Sequence, residues 1–272
     1  MLRESGHWKG GSMPSIAIDP TALVSKEAKL SQGVRIGPYT TIESRVEIGP
    51  DTVIGAHCMI QGPTTIGAGC TITGYASIGS PPQDHTYKGE DTRLVIGDNN
   101  TIREFVTINR GTLKENQVTI IGNNNLIMAY CHVAHDCIVH DHVVMGNLAT
   151  LAGHVEIFDH AIIGGLSAVH QFTRVGAYAI LGGGSMVSLD IIPYAKASGD
   201  RAKLFGLNTI GLKRNSFSRE QIGNIGKAYR LLLKEKHLLK DAIRLIEEEF
   251  PDQAEIELLV NFLSSTKRGI AR

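Results

Sequence analysis

No apolar run in this chain approaches the roughly 18 residues that a bilayer-spanning helix requires, and no apolar stretch follows the charged amino terminus as a secretory signal would. The expectation is a cytoplasmic protein without membrane insertion. Charge of one sign is also missing: 27 basic residues balance 27 acidic ones, so a nucleic-acid partner, which calls for a basic face, finds no support. Cysteine is scarce, four in 272 residues, which is thin for a disulfide framework. Tryptophan occurs once, as Trp8, inside the segment MLRESGHWKGGS. Because that segment ends in a linker-like GGS ahead of Met13, residues 1–12 are read as a leader outside the fold. What is plentiful is apolar residues, 42% of the chain, enough for a large core.

Those apolar residues recur with a period of six. Stepping by six from Ile18 meets Val24, Leu30, Ile36, Ile42, Ile48, Ile54, Ile60, Ile66, Ile72 and Ile78 without a break. The ladder resumes at Ile96, Ile102 and Ile108, slips by one, and runs on from Ile121 through Ile127, Val133, Val139, Met145, Leu151, Ile157, Ile163, Val169, Val175 and Leu181 to Val187. A six-residue unit with one buried aliphatic is a short strand plus a turn, and three such units close a triangular coil of eighteen residues. Residues 13–198 are therefore predicted to form a hexapeptide-repeat parallel β-helix, a mainly β fold, interrupted by loops at 79–93 and 110–118. The period leaves the handedness open. Cys58, Cys70, Cys131 and Cys137 each stand two residues before a rung, a phase that predicts small buried thiols without chemistry.

Beyond residue 198 the period is lost. Ser218 and Gln221 form a capping box ahead of Ile222, Ile225, Tyr229, Leu232 and Leu233 at helical spacing. Two more amphipathic stretches, 237–249 and 252–265, flank Pro251. Residues 199–272 are read as a small C-terminal helical domain.

Eleven histidines are many for this length, and most fall between 132 and 170. Val133, Leu151 and Val169 are eighteen apart, so they stack on successive coils. His135, Gly153 and Gln171, each two residues after one of them, share one column with a step of about 4.8 Å, flanked by His132, His154 and His170. An imidazole can act as general base near neutral pH, and a glycine one coil away exposes a backbone N–H to a reacting oxygen. That is an acyl-transfer arrangement. His140, His142 and His160 read as solvated turn residues. A three-histidine zinc site built on HVAH and HDH is the competing reading, but His140 lies past the next corner and cannot share a ligand sphere with His135 within one chain. The 79–93 loop, GSPPQDHTYKGEDTR, offers Asp84 as a substrate ligand.

Specific segments carry a family resemblance: IGSPPQDHTYKGE (78–90), IREFVTINRGT (102–112), CHVAHDCIV (131–139), LAGHV (151–155), AVHQF (168–172), GLKRNSFSRE (211–220) and STKRGIAR (265–272). With these, the chain from Ile16 to Arg272 resembles the bacterial acyl-carrier-protein–UDP-N-acetylglucosamine O-acyltransferases, which begin lipid A biosynthesis. The resemblance implies a left-handed β-helix, a homotrimer with active sites between subunits, and transfer of a 3-hydroxyacyl group from acyl carrier protein to the sugar 3-position. The acyl donor is carried on that protein's phosphopantetheine, and no metal or other cofactor is implied.

It further implies His135 as base, Asp136 as its support and Gly153 as the oxyanion amide. His132, His154, His170, Gln171 and Asp84 match substrate-positioning residues, Asn208 and Arg214 match groups near the nucleotide, and Ile180 and Gly183 match the positions that limit acyl length. Two residues depart from the family pattern: Thr86 stands where many members have lysine, and Asn215 where many have a second arginine. The alternatives are a hexapeptide-repeat acetyltransferase using acetyl-CoA, a zinc-dependent hydratase of the same fold, and a purely structural solenoid. The related N-acyltransferase carries a domain ahead of its β-helix, for which a ladder starting at Ile18 leaves no room.

Overall fold

The computed structural model describes residues 15–114, 117–233 and 237–272; the 1–12 leader lies outside the described residues. Each rung aliphatic ends or lies within a strand of two to four residues, followed by a turn. Every third strand pairs in parallel, Ile18 with Ile36, Ile36 with Ile54 and Ile54 with Ile72, so the chain winds a coil with three faces. Among the described residues these faces are sheets of eleven, nine and eight strands, here called first, second and third in the order the chain visits them from Ala17–Ile18. Backbone N–H groups bond the carbonyls of the next coil, as in Gly55 N–H to Ile72 O at 2.7 Å.

The rungs from Ile36 to Val187 are at most 4% exposed. Full burial of each such side chain favours folding by roughly 1.5–3 kcal/mol before entropy. Ile18 is 45% exposed because it sits on the outermost described coil. The four cysteines are unpaired and buried. Each thiol points at a carbonyl of the following coil at 3.1 Å, Cys58 at Thr73, Cys70 at Gly97, Cys131 at Gly146 and Cys137 at Ala152. Burial pushes Cys131 up to about 11 and Cys137 up to about 12, which leaves both protonated and inert.

The two breaks in the ladder fall at the same corner. Ile66 pairs with Ile96, thirty residues on, and Ile96 with Ile121, twenty-five on, where eighteen is regular. Both insertions leave the second sheet and return on the third: one between Ser77–Ser80 and Arg93–Ile96, the other between Thr107–Asn109 and Val118–Ile121. On the next coil that corner is Ala134 to Cys137, with His135 and Asp136 in it.

The β-structure outlasts the sequence period. Leu181 pairs with Ala197, a coil two residues short, with Pro193 where the next rung would fall. Ala195–Ser198 then pairs antiparallel with Lys203–Leu207, which closes the first sheet. Among the described residues four helices follow: α1 (Thr209–Arg214), α2 (Arg219–Leu233), α3 (Leu239–Glu249) and α4 (Ala254–Ser264). Helix therefore begins at Thr209, ten residues later than the loss of period implied. The Ser218–Gln221 box is formed in both directions, at 2.9 and 3.1 Å. The helices dock on the coil through Arg174, which grips Asp190 at 2.8 Å and the Phe262 carbonyl at 3.0 Å, and through the Tyr229 hydroxyl, which donates to the Pro193 carbonyl.

Candidate active site

The second-to-third-sheet corner brings His135 and Asp136 together by local geometry. Asp136 takes the left-handed turn position, with φ of 59°, a conformation that aspartate tolerates better than most residues. Its carboxylate accepts His135 Nδ1–H at 2.8 Å. An ionised carboxylate can only accept, so this bond places a proton on Nδ1, and in the neutral ring Nε2 keeps its lone pair. The His135 side chain is 14% exposed, that of Asp136 1%.

The carboxylate is held from behind by the 110–118 insertion. Thr112 N–H donates to Asp136 Oδ1 at 2.9 Å and the Thr112 hydroxyl to Oδ2 at 2.6 Å, while Asp136 N–H donates to Thr119 Oγ1 at 2.8 Å. Burial by itself raises the Asp136 pKa, but the hydrogen bonds from His135 and Thr112 outweigh it and hold the carboxyl below its usual range. Sequence reasoning missed Thr112, which belongs to the break in the ladder, and Thr119, which stands two residues before the rung Ile121 just after it. Counting the register across the break would have placed them at the His135 corner.

Gly153 lies one coil above His135 in the expected column: His154 N–H bonds the His135 carbonyl at 3.1 Å, and Phe172 N–H bonds the Gly153 carbonyl at 3.2 Å. The Gly153 N–H has no hydrogen-bond partner among the described residues. A Cβ on Gly153 would lie 2.6 Å from His135 Cε1 and 2.9 Å from Nε2, so glycine is what lets the imidazole pack flat on this coil. His154 meets His135 edge-on at 5.2 Å and stacks on Phe172 at 4.4 Å. His132 projects from the second sheet and shares a hydrogen bond with Thr107 Oγ1 at 2.7 Å; burial, then the nearby His135, lowers its pKa and keeps it neutral. His170 and Gln171 are exposed at the top of the column.

Asp84 stands in the longer insertion at the same corner. Its Oδ2 pairs with Lys114 at 2.5 Å and its Oδ1 accepts the Thr86 N–H and hydroxyl, each at 2.8 Å. The Lys114 bond, and then those from Thr86, hold the carboxyl well below the usual carboxylate range, so it remains an acceptor. Arg110 ties the loop to the coil, donating to the Gly62 and Gly79 carbonyls at 3.1 and 2.9 Å and to the Tyr87 hydroxyl at 3.1 Å.

A base held at one nitrogen, a glycine amide one coil above it and a polar loop from the coils below form an arrangement suited to acyl transfer. The comparisons with known proteins give the family. The bacterial transferase hexapeptide model matches residues 27–62, 46–80 and 119–153, and the model for UDP-N-acetylglucosamine O-acyltransferase domain 2 matches residues 190–271. Acyl-[acyl-carrier-protein]–UDP-N-acetylglucosamine O-acyltransferases from Thermodesulfovibrio yellowstonii and Thiobacillus denitrificans are 51% and 48% identical over 94% of this chain and 99% of their own. Among solved structures, LpxA from Acinetobacter baumannii superposes with a TM-score of 0.92 at 41% identity, covering 94% of this chain and 99% of that one. The Arabidopsis UDP-N-acetylglucosamine acyltransferase superposes at 0.79 and 34% identity over 94% of this chain and 100% of that one.

The chain belongs to the UDP-N-acetylglucosamine O-acyltransferase family. It is an acyltransferase, and its coil is the family's left-handed parallel β-helix with a C-terminal helical region. The direct resemblance drawn from HVAHD, LAGH and the PPQD loop thus holds at the level of the family. No helix among the described residues is long and apolar enough to cross a membrane.

One acyltransferase chain does not gather every nominated residue. Asn208 caps α1, its Oδ1 accepting Gly211 N–H at 3.1 Å while its Nδ2 donates to the Tyr178 carbonyl at 2.9 Å; Tyr178 marks the third-to-first-sheet corner, away from His135. Arg214 ends that same helix, exposed. The departure at Asn215 has a local reason: it is the C-cap of α1, and its Nδ2 donates to the Gly211 carbonyl at 2.9 Å. Thr86, the other departure, is spent on Asp84. Ile180 faces outward on the first sheet between Ile162 and Lys196. Gly183 is exposed at the first-to-second-sheet corner, three coils above the His135 level. His140 pairs with Glu156 at 2.9 Å and stacks on Phe158, while His142 stacks on His160 and His160 on Tyr178, all apart from the site.

His135, Asp136 and His154 bring potential ligand atoms within 4.8 Å of one another, so the zinc reading has a geometric basis. Their bonding favours the other reading. Asp136 already accepts three hydrogen bonds, and a metal would have to displace Thr112 or His135 to take an oxygen. Dialysis against a strong chelator is expected to leave turnover unchanged; loss of activity that zinc restores would favour the metal.

Proposed function

We propose that the chain transfers a 3-hydroxyacyl group from acyl carrier protein to the 3-position of UDP-N-acetylglucosamine, the first step of lipid A biosynthesis. The single observation that carries the mechanism is the His135 imidazole, held at Nδ1 by Asp136 and packed by its Nε2 edge against Gly153 of the next coil. Nε2 takes the proton of the sugar 3-hydroxyl as its oxygen attacks the thioester carbonyl. The resulting oxyanion is met by the Gly153 N–H. The C–S bond then breaks, and the imidazolium returns its proton to the departing phosphopantetheine thiolate, leaving an ester and a free thiol. A positioned base contributes about 10²- to 10⁴-fold, and one oxyanion donor about 2.7–4 kcal/mol.

Asp84 accepts a sugar hydroxyl in this reading, His132, His154, His170 and Gln171 orient the acceptor and pantetheine, and Asn208 and Arg214 serve the nucleotide from a neighbouring subunit. The separation of Asn208 and Arg214 from His135 within one chain supports a homotrimer with sites shared between subunits. Light scattering is expected to give a mass of three chains; an active monomer would contradict it. The donor separates this reading from the acetyltransferase alternative: 3-hydroxyacyl-acyl carrier protein should be consumed with UDP-N-acetylglucosamine, and acetyl-CoA should not. Consumption of acetyl-CoA alone would overturn the proposal.

The acyl chain would run across the second sheet, past His132, Thr150, Ala168 and Met186, toward Gly183, about 14 Å up the axis at three coil spacings. A side chain at Gly183 meets only the Gly165 carbonyl, 3.2 Å from its Cβ, so the groove is open there. Gly183→Met is expected to shorten the preferred acyl chain by several carbons, since each excluded methylene forfeits about 0.8 kcal/mol. An unchanged length profile across a series of thioesters would place the groove's end elsewhere.

A further inference from the structure

We infer that Thr112 is a positioning residue for the base: by clamping both oxygens of Asp136 it fixes the carboxylate plane, and through it the ring orientation that turns His135 Nε2 toward the acceptor. The inference rests on the reading of His135 as the base. Thr112 is 4% exposed, yet it lies in the 110–118 insertion, where the ladder makes no demand for a buried threonine. Its two donors reach two different oxygens of one carboxylate, N–H to Oδ1 at 2.9 Å and hydroxyl to Oδ2 at 2.6 Å. The same Oδ2 is the atom that bonds His135 Nδ1. A carboxyl group turns easily about its last torsion, so an Asp136 held at a single point would swing and carry the imidazole with it. Two-point attachment removes that freedom, and a base mispositioned by about an ångström can lose about 10²-fold in rate.

The same short segment ties this clamp to the sugar loop. Arg110 holds the Gly62 and Gly79 carbonyls, Asn109 Nδ2 donates to the Pro81 carbonyl at 3.0 Å, and Lys114 pairs with Asp84. Thr112 thus sits midway between the residue proposed to bind the acceptor and the residue proposed to deprotonate it.

The test compares Thr112→Val, which keeps the shape and the backbone N–H but lacks the hydroxyl, with Thr112→Ser, which restores it. Thr112→Val is expected to lower kcat by about tenfold or more, as for loss of a hydrogen bond to a charged group, with KM for UDP-N-acetylglucosamine within about twofold. Thr112→Ser is expected to recover kcat to within about threefold of wild type. Thr112→Ala is the second hydroxyl-free variant if valine does not fold, and thermal melts of each variant separate misfolding from misplacement. A Thr112→Val enzyme with wild-type kcat, a change confined to KM, or a serine variant no better than valine would each overturn the inference. His135→Ala, assayed alongside, tells the two failures apart. An active His135→Ala removes the base and the Thr112 role with it, whereas an inactive one beside a fully active Thr112→Val removes the Thr112 role alone.

Discussion

Replacing His135 with alanine is expected to leave the protein folded and to lower turnover by at least about 10². His135 sits in a turn, outside the aliphatic ladder, and the coil on either side is held by backbone bonds that its side chain does not make. The buried Asp136 loses one partner but keeps both Thr112 bonds, so the cost to stability should stay near that of one hydrogen bond to a charged group, about 1.5–3 kcal/mol. Circular dichroism and a thermal melt check the fold, and steady-state turnover checks the chemistry. Near wild-type turnover in this variant would exclude His135 as the base.

Gly153→Ala should have a comparable effect for a different reason. Gly153 does not take the left-handed backbone conformation, and its N–H survives the substitution, so neither folding nor the proposed oxyanion donor is removed. The added methyl, however, would lie 2.6 Å from His135 Cε1, well inside van der Waals contact. The ring cannot simply turn away, because Asp136 and Thr112 hold it. It must shift bodily, and a displacement of about an ångström costs about 10² in rate. The expected result is a melting temperature lowered by several degrees at most, because the methyl strains a turn side chain rather than the aliphatic ladder, and kcat reduced by one to two orders of magnitude. A Gly153→Ala enzyme with full activity would mean that the imidazole acts from a position other than the one seen here.

Most of the architecture is written in the period. A single aliphatic every six residues can be buried only if the chain turns after each short strand, so the ladder from Ile18 to Val187 fixes the coil. The same phase locates Cys58, Cys70, Cys131 and Cys137 in the core and brings His135, Gly153 and Gln171 into one column. The capping box at Ser218 and Gln221 is equally local and equally readable. What the period could not carry is whatever breaks it. The antiparallel strand Lys203–Leu207 has no hexapeptide signature, and it pushes the start of helix to Thr209. Thr112, which holds both oxygens of Asp136, lies in an insertion, and its hydrogen bond to Asp136 joins residues 24 apart through a register that only the folded coil defines.

The site divides along the same line. Residues that share a coil face with His135 were found by arithmetic, whereas Asn208, Arg214, Ile180 and Gly183 entered through resemblance. One chain holds Asn208 and Arg214 at a different corner and Ile180 on a different face. Chain periodicity describes one coil, and the proposed sharing of the site between subunits would leave no trace in it.

The most direct test is to isolate the product that the purified enzyme forms from 3-hydroxyacyl-acyl carrier protein and UDP-N-acetylglucosamine and to map by NMR the position of the new acyl group. The account predicts one acyl chain in ester linkage at the sugar 3-oxygen, formed by wild type and absent with His135→Ala; an acyl group at another position, or an ester at the 3-oxygen formed equally by both enzymes, would contradict it.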